Sequence, residues 1–321
     1  MSIQTSFIIP HKGREEMLIQ TLESIRKQSV PCTTYEVIIV SQNKAISQSL
    51  SAFTESLNFS VIYNDESNTI SHSRNVGAAN AKGEFLAFLD ADVALSENWL
   101  AEMQEILNAS SHIALVSAMQ INSKDAPPLE KIRTALSNAE LDTEVSFLPG
   151  RNLFLRKSTF NRAGKFPEHL LTCEDYYFTD KVNEIGDLHY TSKAQYVHIG
   201  EDKSFIPMWK KEIWRGQSNL ASLKGRHIPL REWPSFIVPF AVTLSIVAAT
   251  VALLLAHTAV ALALFILAAL PLSAYILRLK KLTGHGVSVG YCACFYLLYF
   301  PARAIGTLLG VRGAVGSSTH S

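Results

Sequence analysis

Two aspartates, Asp90 and Asp92, stand one small residue apart directly after a short apolar run. That run, residues 84–89, has the length and composition of a strand buried on both faces of a parallel sheet. Open α/β sheets bind their ligands at the carboxyl ends of such strands. Two neighbouring carboxylates repel each other unless a cation lies beside them, and a divalent ion with bound phosphate oxygens meets that need. The alternative is an ordinary turn in which each aspartate bonds its own backbone.

A helix and a tight turn are predicted immediately before that strand. Ser71 or Ser73 can cap the helix, because a serine hydroxyl accepts a hydrogen bond from a backbone N–H of the first turn. The helix should end at Lys82-Gly83, since glycine tolerates the left-handed conformation that commonly ends helices. Residues 70–92 therefore predict a helix, a turn, a buried strand and two carboxylates at its end.

Strands and helices alternate over the residues that come earlier. Apolar runs predict strands at 5–9, 35–40 and 59–63, and a helical stripe of apolar residues predicts a helix over 14–28. The alternation continues to about residue 119. This pattern is typical of an α/β domain with a doubly wound sheet and right-handed crossovers.

The segment SHSRNVGAANAKGEFLAFLDAD, which ends at Asp92, closely resembles the central motif of family 2 inverting glycosyltransferases. The resemblance covers roughly the first two-thirds of the chain and implies the GT-A fold, a Rossmann-like, doubly wound mixed sheet. It also implies a nucleotide-sugar donor and a divalent metal, Mg²⁺ or Mn²⁺. Asp92 would hold the metal, and Asp90 would hold the metal or the ribose. His198 follows an apolar strand and would complete the metal shell or touch the diphosphate.

The resemblance further implies which residues bind the donor nucleotide. At the end of its second strand the family has an Asp pair, whereas this chain has Ser41-Gln42-Asn43, so UDP is carried over from the family and not deduced. Asp65 is an alternative carboxylate, although its NDES context favours a turn. The residues expected at the nucleotide are Pro10, His11, Arg14, Ser41, Arg74, Asn75, Asp90 and Arg215.

The pair Glu174-Asp175 is the expected catalytic element. In the family, the Asp of such a pair is the general base, which takes the proton of the acceptor hydroxyl as the bond to the anomeric carbon forms. Asp175 takes that role by resemblance, with Glu174 beside it. The alternative is structural, because Thr172-x-x-Asp175 is also a capping-box pattern that would only begin a helix.

Three further segments match the family near the acceptor. Gly150 and Asn152 stand where the family has a Gly-x-Asn before a strand, and Gly164-Lys165-Phe166 matches its Gly-Gly-Phe turn with one substitution. Residues 205–222 are amphipathic, aromatic and basic, and resemble the family's interfacial segment. Such a segment suits a membrane surface, with its rings at headgroup level and its cations toward phosphates.

The last third of the chain is strongly apolar. No Lys, Arg, Asp or Glu occurs over residues 233–277, a length that fits two membrane spans at about 235–256 and 258–277. Basic residues flank both ends of the pair, which predicts a hairpin with both ends in the cytoplasm. These flanking residues are Lys224, Arg226, Arg231, Arg278, Lys280 and Lys281.

A third apolar segment, residues 287–311, contains Pro301 and Arg303. It either spans the membrane or lies along the cytoplasmic surface with the arginine side chain reaching toward water. The sequence leaves both arrangements open.

Composition bounds the remaining possibilities. A chain of 321 residues fits one large domain plus an appendage, here a catalytic domain over 1–224 and a membrane region over 225–321. The net charge of +1 implies no nucleic-acid partner, and the four cysteines show neither a metal spacing nor a disulfide pattern. The first ten residues lack the basic start of a signal peptide. We therefore expect the catalytic domain to face the cytoplasm at the inner membrane.

These features predict an enzyme that transfers a sugar from a nucleotide-sugar to a hydroxyl of a lipid-linked or polysaccharide acceptor, with inversion and with a metal. Two alternatives remain. A polyprenyl-phosphate glycosyltransferase would use a phosphate acceptor that needs no strong base. A non-catalytic, nucleotide-sugar-binding membrane subunit would have no need of Asp175 as a base, and the missing Asp at Ser41 keeps this alternative open.

Overall fold

The computed structural model describes residues 2–218, 220 and 230–317. The backbone divides into two compact units, Met1–Ser123 with Glu140–Gly200, and Lys124–Ala139 with Glu201–Ser321. The predicted boundary at residues 224/225, with Lys224 and Arg226 beside it, lies outside the described residues, so the predicted division stays a prediction.

Nine strands and eleven α-helices occur in the described part of the chain. The strands are β1 Thr5–His11, β2 Tyr35–Ser41, β3 Phe59–Tyr63, β4 Phe85–Leu89, β5 Val93–Leu95, β6 Ile113–Ile121, β7 Thr143–Val145, β8 Asn152–Arg156 and β9 Asp187–His198. The helices are α1 Glu15–Arg26, α2 Gln48–Ser51, α3 Ile70–Asn80, α4 Trp99–Ala109, α5 Pro128–Ser137, α6 Lys157–Arg162, α7 Glu174–Asn183, α8 Phe205–Gly216, α9 Trp233–Leu254, α10 Thr258–Thr283 and α11 Val289–Ser317.

The strands of the first unit form one mixed sheet in the order β3-β2-β1-β4-β8-β6-β9-β5, with β7 paired to β9. The pairs β1–β2, β1–β4, β2–β3 and β6–β9 are parallel, and the other pairs are antiparallel. The early part of the chain thus builds the parallel half of the sheet, as its alternation of strand and helix predicts.

Both faces of this sheet are buried. Along β1, Phe7 and Ile9 belong to the apolar core on one face, whereas Ile8 belongs to the core on the other. Helices α1 and α4 contribute to the first core, and α3, α6 and α7 to the second. Because strand side chains alternate between faces, a strand that is apolar at every position must be covered on both sides. The predicted doubly wound architecture is confirmed.

The helix before β4 begins and ends differently from its prediction. Thr69 is the N-cap, accepting the N–H of His72 at 3.2 Å, while Ser71 and Ser73 are buried within α3. Gly83 does not take the left-handed conformation. A Cβ on Gly83 would instead lie 2.7–2.9 Å from backbone atoms of residues 4–6, so glycine is needed there because β1 passes too close.

The second unit contains three helices that are long and apolar enough to cross a membrane, namely α9, α10 and α11. Residues 255–257 separate α9 from α10, next to the predicted join at His257-Thr258. Helices α5 and α8 share one apolar core with these three, through Leu129 and Met208 among others. The length and composition of the three helices indicate association with a membrane.

Candidate active site

Five residues expected at the donor nucleotide or the metal line one cavity of about 270 Å³ in the first unit. These residues are Pro10, His11, Arg14, Asp90 and Asp92. The cavity lies at the carboxyl ends of β1 and β4, which are parallel neighbours, so the loops that follow them meet at one edge of the sheet. The rest of its lining is formed by Lys12, Gly13, Met17, Gln42, Ile70 and Ala91.

Asp92 meets His198 because of the pairing between β5 and β9. Val93 stands opposite His198 in that antiparallel pair, which brings the preceding Asp92 to the end of β9. Oδ1 of Asp92 lies 3.4 Å from Nε2 of His198, and Oδ2 lies 3.5 Å from Nη1 of Arg14. A Cβ on Gly200 would overlap Oδ2 of Asp92, so a glycine leaves room for this carboxylate. The fold therefore assembles two of the three expected metal ligands.

The third expected ligand, Asp90, is engaged by an arginine. Its Oδ1 accepts a hydrogen bond from Nη2 of Arg74 at 2.9 Å, while its side chain remains 31% exposed and lines the cavity. Within the described ranges, the one group of three potential metal-ligand atoms lying within 4.8 Å of one another belongs to His112, Glu144 and Asp187. None of those three lines the cavity. Metal binding by Asp90 thus stays a prediction.

Arg74 is a buried connection between the expected metal site and the expected catalytic pair. Its Nη1 donates to Oε1 of Glu174 at 2.9 Å, and its Nη2 donates to Asp90 and to the carbonyl of Gly150 at 3.2 Å. The guanidinium also stacks over the ring of Phe166 at 5.0 Å. Burial alone would lower the pKa of Arg74, but Asp90 and Glu174 raise it, so the group stays charged. A direct contact of Arg74 with the nucleotide remains a prediction.

Asp175 is oriented by two backbone N–H groups. Its Oδ2 accepts from Gly150 at 3.0 Å, and its Oδ1 accepts from Tyr176 at 2.8 Å. Both bonds fix the orientation of the carboxylate, and the role of Asp175 as a general base stays a prediction. The N-cap of α7 is Cys173, with φ of 63°, one residue after the Thr172 of the capping-box pattern, and the choice between base and cap for Asp175 stays a prediction.

Glu174 is more deeply buried than its neighbour Asp175. Its side chain is 12% exposed and its carboxylate bonds Arg74. Burial, and after it the charge of Asp175, raise the pKa of Glu174 above its usual value, although Arg74 opposes the shift. The pair thus combines a buried carboxyl that holds its proton more tightly with an aspartate oriented by backbone donors.

His11 and Ser41 end the neighbouring strands β1 and β2 and stand opposite each other in the pair. Nδ1 of His11 lies 3.1 Å from Oγ of Ser41, and both residues are buried. Burial lowers the pKa of His11. In the described part of the chain, its Nε2 is buried without a hydrogen-bond partner, and a ligand in the cavity it lines can supply one.

Gln42, the residue that follows β2, lines the cavity, whereas the expected Ser41 does not. Its amide nitrogen donates to the carbonyls of Asp65 and Asn68 at 2.9 and 2.8 Å, which fixes the side chain. The carboxylate of Asp65 accepts from the N–H and the hydroxyl of Ser67, the arrangement of an Asx turn. These contacts agree with the interpretation of Asp65 as a turn residue.

Two other expected nucleotide contacts lie in different surroundings. Asn75 donates to the carbonyl of Phe166 and to Glu168 and accepts from the N–H of Phe166, so its amide ties α3 to the 164–168 turn. Arg215 belongs to α8 of the second unit, where its Nη1 donates to Glu212 at 2.8 Å. Roles for both in binding the donor stay predictions.

Two features of the site can be understood only from the structure: the packing around Gly150 and the backbone conformation of Arg14 and Cys173. Gly150 is required by the packing, because a Cβ on it would lie 3.0 Å from both Nη2 of Arg74 and Cβ of Asp175. Arg14 and Cys173 adopt positive φ angles of 46° and 63°. Strained residues of this kind cluster at functional sites, and here each directly precedes a helix at the site.

The family comparison agrees with this geometry. Residues 6–164 match the family described as glycosyl transferase family 2. Among characterised proteins, glycosyltransferase AglE of Haloferax volcanii is 23% identical over 189 residues, covering 56% of this chain and 62% of AglE. The chain thus matches less than two thirds of the length of that relative.

Solved structures show the same fold. The mannosyltransferase PcManGT of Pyrobaculum calidifontis, in complex with GDP-Man and Mn²⁺, superposes with a TM-score of 0.63 at 16% identity, covering 96% of this chain and 88% of that one. TarS 1–349 of Staphylococcus aureus, in complex with UDP-GlcNAc, gives 0.51 at 18% identity, covering 94% and 91%. The family match shows that the chain, over residues 6–164, belongs to glycosyl transferase family 2, and the superpositions show that it has the GT-A fold.

Proposed function

We propose that this protein transfers a sugar from a nucleoside-diphosphate sugar to the hydroxyl of a lipid-linked or polysaccharide acceptor, with inversion and with a divalent metal, Mg²⁺ or Mn²⁺. The observation that carries the proposal is the cavity at the ends of β1 and β4, which lies in the part of the chain that matches family 2. Asp92 and Arg14 line it, and Asp92 also lies 3.4 Å from His198. The catalytic domain would face the cytoplasm at the inner membrane.

The side chains expected to bind the metal suit a hard divalent ion. Carboxylate oxygens of Asp92 and Asp90 are ordinary ligands of Mg²⁺ or Mn²⁺, and the imidazole of His198 would add a nitrogen ligand, which Mg²⁺ accepts less readily than a transition metal such as Mn²⁺. Gly200 provides the space beside Asp92 that a side chain would fill. When bound, the ion would neutralise charge on the departing nucleoside diphosphate. PcManGT, the neighbour with Mn²⁺, supports this assignment through the shared fold.

The protein side chains would handle the reacting groups as follows. The acceptor oxygen attacks the anomeric carbon while its proton passes to the carboxylate of Asp175, and the bond from that carbon to the diphosphate oxygen breaks with its electron pair on the phosphate. The N–H groups of Gly150 and Tyr176 hold Asp175 in position. Arg14, 63% exposed and next to Asp92, would bind the diphosphate.

The nucleotide base remains the least determined part of the donor. The Asp pair of the family is replaced by Ser41 and Gln42, and the Ser41 hydroxyl already faces His11. UDP is our expectation because the family commonly uses it, and TarS was solved with UDP-GlcNAc. PcManGT was solved with GDP-Man, so a guanine nucleotide is the first alternative to test.

A cavity in the second unit supports a lipid-linked acceptor. It has a volume of about 580 Å³ and lies between residues 235–241 of α9 and 303–311 of α11. Most of its lining is apolar, and its one charged lining residue in the described part of the chain is Arg303. A hydrocarbon chain with an anionic group fits that combination. The same cavity favours the polyprenyl-phosphate alternative, in which the acceptor arrives ionised and needs no base.

The proposal can be tested on the purified full-length protein in lipid nanodiscs. UDP- and GDP-sugars would be screened for binding by thermal shift with Mn²⁺ and with EDTA, and the active donor would then be tested for hydrolysis and transfer. We expect one donor to stabilise the protein with Mn²⁺ only. Asp92→Asn should abolish this metal-dependent shift, whereas the matched control Asp65→Asn, in an exposed turn, should retain it. Undiminished binding in EDTA would contradict the metal assignment, and binding without any turnover would favour the non-catalytic alternative.

A further inference from the structure

Helix α11 is packed differently from the other two apolar helices. In its most apolar stretch 44% of the residues are buried, compared with 28% in α9 and 11% in α10. Large apolar residues near the junction of α9 and α10 are exposed, as expected for helices that meet lipid on most sides; they include Leu253, Leu254, Leu255, Val260 and Leu262. The three helices therefore resemble one another in length and hydropathy but differ in the fraction of their residues that is buried.

The aromatic contacts of α11 with α10 and the cavity that α11 shares with α9 lie at one depth. Tyr296 and Phe300 pack against Tyr275 of α10, and residues 303–311 share a cavity with residues 235–241 of α9. At a rise of 1.5 Å per residue, Tyr275 lies about 26 Å from the start of α10, and residues 235–241 lie about 20–29 Å from the end of α9. Both distances are measured from the same turn between the helices.

This equality of depth fixes the direction of α11 relative to the hairpin. Between Tyr296 and Leu308 the helix advances about 18 Å along its own axis. A helix that crossed the bilayer beside α9 or α10 would move its contacts by a similar distance along them. Instead α11 passes from the last third of α10 to the first third of α9. It therefore runs across the open end of the hairpin, roughly parallel to the membrane plane.

A polar helix lies along the same stretch of α11. Phe205 of α8 stacks on Tyr291 at 4.9 Å, and at the other end a Cβ on Gly216 would lie 2.9 Å from Cα of Gly306. A Cβ on Gly310 would overlap the carbonyl of Gln217, so the two backbones pack closely between residues 213–217 and 306–310. Helix α8 thus accompanies α11 and carries Lys210, Lys211, Glu212 and Arg215.

The charges between these helices oppose a membrane-spanning position. Glu212 is buried among Arg133 of α5, Arg215 of α8 and Arg303 of α11. Burial alone would raise the pKa of Glu212, but these guanidinium groups lower it to about 2, so the carboxylate is ionised. Placing α11 across the bilayer would carry this ionised cluster into the hydrocarbon, where each charged side chain costs about 2.5 kcal/mol or more.

We propose that α11 does not cross the membrane but lies in the plane of its surface, forming with α8 an interfacial layer whose partner is the phospholipid headgroup region. Exposed Leu297, Leu308 and Leu309 would enter the boundary of the acyl chains. The protein then has two spans, α9 and α10, and the end of α11 emerges on the same side as the beginning of α9. This inference does not depend on the identity of the donor or the acceptor.

Protease-cleavable tags on the full-length protein test the number of crossings. One tag is placed at each terminus and a third at His257 between α9 and α10, and cleavage is compared in right-side-out and inside-out vesicles. We expect both terminal tags to be cut in the same preparation and the His257 tag to be cut in the opposite one. Cleavage of the C-terminal tag together with the His257 tag would establish a third crossing and overturn the proposal.

Depth measurements provide a second test that does not rely on tags. Spin labels at Leu297→Cys and Leu308→Cys, about 16 Å apart along α11, should report the same bilayer depth from oxygen and nickel accessibility. The matched pair Leu262→Cys and Leu277→Cys on α10, about 22 Å apart, should report clearly different depths. Different depths for the α11 pair, comparable with those of the α10 pair, would contradict an in-plane helix even if the tags agreed with it.

Discussion

Arg74 in the first unit and Arg133 in the second are both buried guanidinium groups that bind carboxylates from other parts of their unit. Arg74 binds two, Asp90 and Glu174, and Arg133 binds three, Glu201, Asp202 and Glu212. The two clusters nevertheless affect their glutamates in opposite ways. The pKa of Glu174 is raised above its usual value, whereas that of Glu212 is lowered to about 2.

The balance of neighbouring charges explains the difference. Glu212 contacts Arg215 and Arg303 in addition to Arg133, so three cations surround one carboxylate. Glu174 has Arg74 as its cation and Asp175 as a negatively charged neighbour. The second cluster is neutralised by its own side chains, as a structural contact between helices requires. The first leaves the carboxylate of Asp90 at a cavity, where a metal cation or a proton can complete the charge balance.

The largest expected effect concerns Asp175, the part of the first cluster that we assign to catalysis. Asp175→Asn should lower the rate of transfer to a hydroxyl acceptor by about 10²–10⁴-fold, because an amide cannot take the proton. Asparagine also turns an N–H toward one of the donors, Gly150 or Tyr176, so stability should fall by about 1–2 kcal/mol. Initial rates and melting temperatures measure the two effects separately.

Glu184→Gln, an exposed change on the same helical segment, serves as the control and should leave transfer unchanged. Full turnover of Asp175→Asn with a hydroxyl acceptor would exclude the base role. Full turnover with a lipid phosphate acceptor alone would favour the polyprenyl-phosphate alternative.

Replacing the two arginines compares the clusters directly. Arg74→Met should destabilise the protein by about 3–5 kcal/mol, because it removes the cation that Glu174 and Asp90 share within a buried site. Arg133→Met should cost less, about 1–3 kcal/mol, because Glu212 keeps Arg215 and Arg303, and Asp202 keeps Lys211. Denaturation of both variants in detergent gives the comparison.

Binding of the nucleotide-sugar should distinguish the role of Arg74 from that of Arg133. At a temperature where both are folded, Arg74→Met should lose binding of the nucleotide-sugar, whereas Arg133→Met should retain it. Equal losses of stability would refute the explanation based on charge balance, and normal donor binding by Arg74→Met would separate Arg74 from the site.

The pH dependence of stability should reflect the lowered pKa of Glu212. A carboxyl whose folded-state pKa is lowered stabilises the protein above its unfolded pKa of 4.5, and this stabilisation is lost as the pH falls from 4.5 toward 2. The shift corresponds to about 3 kcal/mol at most. Thermal unfolding between pH 6 and about 3 should therefore depend less on pH in Glu212→Gln than in the wild type.

Glu174 should affect the pH dependence of stability in the opposite direction to Glu212 in the same experiment. Its raised pKa means that its ionisation costs stability as the pH rises through the folded-state value. Glu174→Gln should then relieve part of that cost at neutral pH, provided that its amide still accepts from Arg74. A pH profile of Glu174→Gln that matched the profile of Glu212→Gln would show that the two clusters are equivalent.

The smallest expected effect lies in the turn that covers Arg74. Lys165 has a φ of 68° where the family has glycine, and it precedes Phe166, whose ring stacks on the Arg74 guanidinium. Lys165→Gly should stabilise the first unit by up to about 1 kcal/mol, because glycine adopts this conformation without steric cost. Lys157→Gly, in a helix with negative φ, should destabilise it by about 1 kcal/mol as the control.

Some elements were predictable because their signals are local. The apolar runs at 35–40 and 59–63 predict β2 and β3, which the structure has at Tyr35–Ser41 and Phe59–Tyr63. A run that is apolar at every position requires cover on both faces, and so indicates a doubly wound sheet. The meeting of residues 10–14 with Asp90 and Asp92 also follows from sequence, because neighbouring parallel strands end at the same edge.

Other elements were mispredicted for equally physical reasons. Ser71 and Ser73 are good capping residues, but Thr69 comes first and its hydroxyl already accepts from the helix. Gly83 has the position of a helix C-cap, yet its role is to let β1 pass close by. The type of a residue limits the structural roles it can have, whereas its neighbours in the folded structure determine which of those roles it has.

The sequence by itself determined the strands, the helices, the carboxylates at the end of β4 and the apolar helices of the second unit, because each is specified by residues a few positions apart. Only the tertiary structure decided that His198 stands beside Asp92, through the register of β5 on β9, and that Arg74 reaches Glu174. Those partners are separated by about 100 residues, and no local pattern encodes such a pairing. The same holds for Arg133 of α5 and Arg303 of α11, which meet Glu212 because their helices share a core with α8, whereas Arg215 is a local partner three residues after Glu212 on the same helix.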